Sequence, residues 1–250
     1  MQRFFLEKPL AAEIVIDGAD AHHIGRVLRM KPGDVVAISD ADGQSGVAQI
    51  EKITSDKVYL ALHQRTIRTT EPPIGVWLAQ GLPKSDKLEF IIQKAVELGV
   101  AGIIPVATHH SVVKYDEKKA QSKTERWGKI AAEAAKQCGR QIVPQVKPIH
   151  NLRELLDSLD SEATVFMPYE GESTRTFKAA LTEDGSAANK SMIVLIGPEG
   201  GFSAEEAQFC RSRGVQTVTL GPRILRAETA ALAALAIILY QYGDLGSNSC

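Results

Sequence analysis

The sequence predicts an α/β protein in which a small β-rich unit precedes a larger region of alternating strands and helices. Residues from Met1 to about Arg68 hold several short alternating runs and a single helix-length segment. From Ile74 onward, apolar runs alternate with amphipathic segments, the signature of βαβ units. Near the C-terminus two such runs each break at a glycine-proline loop before a helix, which is where open α/β sheets collect ligands.

Taken in order, Gln2 to Leu6 and Glu13 to Ile16 read as strands, and Asp20 reads as the cap of a helix through Arg29. Lys31-Pro32-Gly33-Asp34 turns the chain into a strand, Val35 to Ser39; Asp40-Ala41-Asp42-Gly43 is a turn, and Val47 to Ile53 and Lys57 to Ile67 follow as strands. Short strands closed on themselves form a small barrel. His22, Arg26 and Arg29 recur at helical spacing and share a face, while Ile24, Val27 and Leu28 point elsewhere. Such a face suits phosphates and unpaired bases, although helix solubility alone produces it too.

Thr69-Thr70-Glu71-Pro72-Pro73 is a stiff linker, dividing the chain into residues 1–70 and 74–246. Ile74 to Gln80 is a buried strand, Ser85 opens a helix ending at Gly99, and Val100 to Val106 is the next strand. A long helix covers Asp116 to Cys138 with Trp127, Ile130, Ala131, Ala134 and Ala135 as its buried stripe. A strand near Gln145 to Pro148 follows, then a helix from Leu152 to Leu159 capped by Asn151, and a strand from Ala163 to Met167. Pro168-Tyr169-Glu170-Gly171-Glu172 is a loop, Thr174 to Leu181 a short helix, and Thr182 to Lys190 an exposed loop.

Met192 to Ile196 is apolar and β-branched, a buried strand that breaks at Gly197-Pro198-Glu199-Gly200-Gly201. Ser203 with Glu206 forms a capping box, so a helix runs from there to Gly214. Val215 to Leu220 is a second strand, and Gly221-Pro222-Arg223-Ile224-Leu225-Arg226 a second loop. An alanine- and leucine-rich helix then runs from Ala227 to Gly243, with a frayed tail from Gly246. Its run from Ala230 to Leu239 is apolar on every face, so it must be buried on all sides, by its own domain or by a second copy of the chain.

The loops lack the Lys-Ser/Thr of a P-loop and the Gly-x-Gly-x-x-Gly of a dinucleotide fold, which argues against a pyrophosphate and for a ligand edge read by backbone amides. Cys138, Cys210 and Cys250 form no C-x-x-C pair, and the His22-His23 and His109-His110 side chains diverge, so neither a disulfide framework nor a metal is expected. No apolar stretch is long enough to span a bilayer and the N-terminus is no signal peptide, so a cytoplasmic protein without membrane partners is expected. The net charge of −1 hides a split: His110 to Lys147 carries nine Lys/Arg against four acids, whereas Pro148 to Cys250 carries eight against thirteen.

LIGPEGGFSAEE followed by LGPRILRAETAAL resembles the signature of the 16S ribosomal RNA uridine-N3 methyltransferases of the SPOUT superfamily. The HIGRVLR stretch at His23 and QKAVELGV at Gln93 match as well, so the resemblance covers nearly the whole chain. It implies a C-terminal domain threaded into a trefoil knot and a PUA-like N-terminal barrel that binds RNA through Arg3, His22, His23, Arg26 and Arg29. It also implies S-adenosyl-L-methionine as cofactor, 16S rRNA within the small ribosomal subunit as substrate, and a homodimer. The implied cofactor loops are Leu195, Ile196, Gly197, Pro198, Glu199, Gly200 and Gly201, then Leu220, Gly221, Ile224 and Leu225, with Met167 and Pro168 as a third wall.

Arg226 is the candidate for stabilising negative charge on the uracil carbonyls, and Glu228 and Glu199 each for accepting a proton or holding a loop. A carboxylate in the first turn of a helix is favoured there anyway by the dipole. Two other readings stay open: a related SPOUT enzyme acting on a ribose 2′-hydroxyl or another base, and a non-catalytic RNA-binding protein.

Overall fold

The computed structural model describes residues 1–111, 115–160, 163–183 and 191–246. Most of the loop expected over 182–190 and the tail expected after Gly246 lie outside them, as does Lys114 of the basic segment. The chain divides into two units, Met1–Glu71 with Ala135–Val143, and Pro72–Ala134 with Pro144–Cys250.

In the first unit, β1 (Arg3–Phe5), β2 (Glu13–Asp17), β3 (Val35–Ser39), β4 (Ser45–Ile53) and β5 (Lys57–Arg65) form one sheet in the order β1-β3-β4-β5-β2. Bulges between Val47 and Ala48 and between Ile50 and Lys52 break the β4–β5 register and curl the sheet. Its concave side holds a core of Phe4, Ile14, Ile16, Ile24, Ile38, Ile50 and Leu60.

The helix in this unit departs from expectation. It begins as α1 (Gly18–His22), with Asp17 rather than Asp20 at the N-cap position and no side-chain cap bond, and continues as a π-helical turn, His23–Val27. The wider turn moves every later side chain around the axis. Val27 is therefore 60% exposed, and Arg29 leaves the helix altogether with φ 53°. Asp20 pairs with Lys136 at 3.2 Å.

Segment Ala135–Val143 packs in the first unit because Glu71 gathers it. One Glu71 oxygen accepts from the Arg140 guanidinium, and the other from the Gln141 and Ile142 amides at 2.8 and 3.2 Å. The Gln141 side chain donates to Ser45 Oγ at 2.6 Å and to the Arg68 carbonyl at 2.9 Å. Buried charge and amide are thus satisfied by one another.

The second unit is a parallel sheet of β6 (Val76–Gly81), β7 (Gly102–Ala107), β8 (Gln145–Val146), β10 (Thr164–Pro168), β11 (Met192–Ile196) and β12 (Gln216–Val218), in the order β12-β10-β11-β6-β7-β8. The two-residue β9 (His150–Asn151) also pairs with β7. Every residue of β11 is buried, as expected of a strand covered on both faces. The helices are α2 (Lys87–Leu98), α3 (Glu117–Cys138), α4 (Leu152–Ser158), α5 (Phe177–Glu183), α6 (Ala204–Ser212) and α7 (Ala227–Tyr242). The Ser203–Glu206 capping box opens α6, and Asn151 accepts from the Glu154 amide to open α4. Ser85, expected to open α2, instead takes a left-handed φ of 56°, and the helix starts after Asp86.

Helix α7 packs on α2, β6 and β11 through Ala231, Ala234, Leu235, Ile238 and Leu239. Within the single chain it is not buried all round: Ile237 and Tyr240 are exposed, and Ala230, Ala233 and Ala236 are half-buried. These recur at helical spacing, so one apolar stripe stays uncovered.

The strand ends that build the site meet with no side chain between them. A Cβ on Gly81, at the end of β6, would lie 2.6 Å from the Pro198 nitrogen and 2.9 Å from the Gly197 carbonyl carbon. Gly81→Ala should therefore displace the loop after β11 and cost about 1–3 kcal/mol, the scale of overpacking, read by urea denaturation. Unchanged stability would show that the loop yields freely.

Candidate functional site

Three loops leave the carboxyl ends of neighbouring strands: 169–176 after β10, 197–203 after β11 and 219–226 after β12. The chain lays β6, β7 and β8 to one side and returns on the other with β10, β11 and β12, so these loops stand beside the switch in strand order. They enclose a cavity of about 1030 Å³.

In the loop after β11, the Gly201 amide donates to the Pro198 carbonyl at 2.9 Å, a turn that Gly201 closes with φ 65°. Its base is fixed from β6, where the buried Gln80 side chain donates to the Gly197 carbonyl at 3.2 Å. Its tip is fixed from the start of α2. Glu199 accepts the Lys84 amide at 3.1 and 3.2 Å, and the Lys87 ammonium lies 3.0 Å away. Burial pushes the Glu199 carboxyl up, but these donors outweigh it and hold it below the usual range.

The other two loops are tied to each other. Tyr169 and Phe177 donate their amides to the Val218 and Thr219 carbonyls, and the Thr219 amide donates to Arg175. Glu172 accepts the Thr174 amide and hydroxyl, the Arg175 amide and the Thr217 hydroxyl at 2.7–3.2 Å. Those bonds to the charged form, the Thr174 amide foremost, take its pKa down to about 2.

Of the expected cofactor residues, Pro168, Ile196, Gly197, Pro198, Glu199, Gly201, Leu220, Gly221, Ile224 and Leu225 line the cavity, together with Arg226. Met167 and Leu195 have fully buried side chains in the core beneath it. Gly200 abuts His110, whose Cβ would lie 2.9 Å from a Cβ placed there. Glu228 stands behind Lys87, 3.7 Å from its ammonium. The lining also includes Phe202 and Arg223, which lie within the two motifs but were not singled out, and Lys87, Tyr169, Glu170 and Glu172, which lie outside them. Tyr169, Glu170 and Glu172 lie in the loop recognised after β10, whereas Lys87 carries no local signal.

The cavity suits a cationic, partly apolar ligand such as S-adenosylmethionine. Glu170, Glu172 and Glu199 balance Lys87, Arg223 and Arg226 on its walls, and Ile224, 86% exposed, offers an apolar surface for a ligand to cover. Two of its walls are glycine-proline backbone. Among the described residues no group of three His, Cys, Asp or Glu converges to hold a metal.

In the first unit His22, His23, Arg26 and Arg29 are exposed, while Arg3 is half-buried and donates to Ser39 Oγ at 2.6 Å. The basic segment is less free than its composition implies. Lys123 and Arg126 pair with Glu89, Lys136 with Asp20 and Arg140 with Glu71. No helix of the described residues is long and apolar enough to cross a membrane.

Fold and site define an α/β protein of the class that binds its ligand in loops at the ends of a parallel sheet, joined to a small β-unit. A sequence profile for the RNA methyltransferase domain matches residues 70–239, and one for the RNA methyltransferase PUA domain matches 16–62. The ribosomal RNA small subunit methyltransferase E of Bacillus subtilis is 40% identical over 96% of this chain and 97% of its own. A crystal structure of ribosomal RNA small subunit methyltransferase E from Neisseria gonorrhoeae bound to S-adenosyl methionine is 32% identical, with a TM-score of 0.86 over 98% of this chain and 99% of that one. A putative methyltransferase from Legionella pneumophila, in complex with the same cofactor, is 29% identical with a TM-score of 0.85 over 97% and 98%. This chain belongs to the RNA methyltransferase family, in the group of the small-subunit ribosomal RNA methyltransferases E.

The state of Glu172 is testable by pH. Its folded pKa is depressed, so the stability it adds is fully present above the unfolded value of about 4.3 and is lost as pH falls toward about 2. Wild type should exceed Glu172→Gln in urea denaturation above pH about 5, with the gap closing on acidification. A pH-independent gap would mean that the carboxylate charge plays no part.

Proposed function

We propose that this protein is an S-adenosylmethionine-dependent methyltransferase acting on N3 of a uridine in 16S rRNA of the small ribosomal subunit, in the cytoplasm. The observation that carries the reading is the convergence of the GPEGG and LGPRILR loops on one cavity with Arg226 in its wall. The names of the relatives support the substrate class, and the resemblance of the motifs supports the uridine N3.

The residues that would hold the cofactor are Ile196, Gly197, Pro198, Glu199, Gly201, Leu220, Gly221, Ile224 and Leu225, with Pro168 beside them, and the main chain of Met167, Leu195 and Gly200 supports their loops. When bound, the cofactor supplies an activated methyl on a sulfonium sulfur, so proximity and a competent nucleophile are the main requirements. Arg226 stands at the N-cap position of α7 in a wall of the cavity, and among the described residues no carboxylate lies within ion-pair distance of it. It is free to oppose charge on a uracil carbonyl. Glu228 is assigned to holding Lys87.

The domains divide the work, with residues 1–70 contacting rRNA through His22, His23, Arg26 and Arg29, Arg3 supporting them, and 74–246 carrying the chemistry and the trefoil knot. The uncovered stripe of α7 supports a homodimer, closed by a second copy of the same helix.

Nucleoside mass spectrometry of small-subunit rRNA, modified by the purified protein in chelator, should show 3-methyluridine. Arg226→Ala should lower turnover about 10²-fold with cofactor affinity nearly kept. A product methylated on ribose would overturn the assignment.

The dimer has its own test. Leu235 is fully buried within the chain, so a charge there would unfold it, whereas Ile237 is 40% exposed on the stripe. Ile237→Glu should sediment as a folded monomer without methylation activity; a monomeric, fully active wild type would refute the assembly.

A further inference from the structure

Lys87 reaches the cavity from the first turn of α2, outside both loop motifs. Its ammonium lies 3.0 Å from Glu199 Oε1 and 3.7 Å from Glu228 Oε2. That Glu228 oxygen is buried and accepts no hydrogen bond, so the Lys87 charge and the N-terminal end of α7 compensate it. An ammonium has three N–H donors, and two carboxylates on one side leave a donor for the cavity. Glu199 raises the Lys87 pKa, and Lys87 and Arg226 line the same cavity. Two acids and two bases balance, so a cation faces the cavity without adding net positive charge that would repel a sulfonium.

We propose that Lys87 is a second catalytic cation, which with Arg226 stabilises the uracil anion, one cation for each carbonyl oxygen flanking N3. The inference rests on the uridine-N3 reading. The reaction breaks N3–H and S–CH3 and forms N3–CH3. The proton passes to solvent, and the electron pair of the S–C bond stays on the departing thioether. Negative charge on N3 and its carbonyl oxygens exists only between loss of the proton and gain of the methyl. A cation fixed there therefore acts on the transition state rather than on the bound substrate. Glu199 and Glu228 hold the ammonium in place beforehand, and this placement costs nothing at the moment of reaction.

Lys87→Gln keeps hydrogen-bonding capacity and removes charge; Lys87→Arg keeps charge. With small ribosomal subunits as substrate, Lys87→Gln should lose about 10²-fold in kcat at saturating cofactor, while calorimetric affinity for S-adenosylmethionine stays near wild type. Its rise of kcat with pH should move to higher pH, because without the Lys87 charge only Arg226 favours ionisation of N3–H, while Glu199 and Glu228 oppose it. Lys87→Arg should recover most of the turnover. A loss confined to cofactor affinity, an unmoved pH profile, or an arginine variant as slow as glutamine would make Lys87 a tether and overturn the proposal. Wild-type product identity is scored separately: methylation elsewhere than N3 would sink the underlying reading before any variant is compared.

Discussion

The architecture of the site depends on the contact between the ends of β6 and β11, where backbone touches backbone. Gly81 leaves no room for a side chain beside Pro198, and Gln80 crosses to the Gly197 carbonyl. With two strands locked at this depth, the loop after β11 can leave the sheet only upward, and its tip lands where Lys84 and Lys87 hold Glu199. The loops after β10 and β12 are fastened to one another by Glu172 and the Thr219 backbone. The cavity is thereby walled by two fastened pieces, which is the preorganisation that a site needs to favour a transition state.

Charge in this molecule is managed in pairs rather than in patches. The long basic helix shares its cations with Glu89 and Asp20, and Arg140 is buried against Glu71. The cavity walls carry three acids and three bases. Exposed pairs of this kind contribute little to stability, so their value lies in where they place a side chain. A count of charges along the chain overstated the surface available to a polyanion.

What was legible in the sequence was what is decided locally. The Ser203–Glu206 capping box, the Asn151 cap and the strands Val35–Ser39 and Met192–Ile196 depend on neighbouring residues alone, and each stands where composition put it. The helix after Gly18 was misjudged beyond His23 because a π-helical turn keeps the composition of an α-helix while altering its spacing. The two loop motifs brought most of the cavity into view. Lys87 stayed hidden because its meaning is an ion pair with residues far along the chain, and no periodicity records such a partner. For α7 the apolar sequence reports that a surface must be covered without saying by what, and within one chain part of it stays uncovered.

The first unit is not a continuous stretch of chain, because Ala135–Val143 completes it through Glu71, Ser45 and Arg68. Synthesis proceeds from the N-terminus, so the five strands of this unit emerge before the segment that completes it. Until Val143 has left the ribosome, the Glu71 carboxylate and the Ser45 hydroxyl lack their partners. By that time β6, α2, β7 and α3 have already emerged. The first unit therefore gains its last hydrogen bonds only after much of the second has been made, although a proline pair separates their beginnings in the sequence.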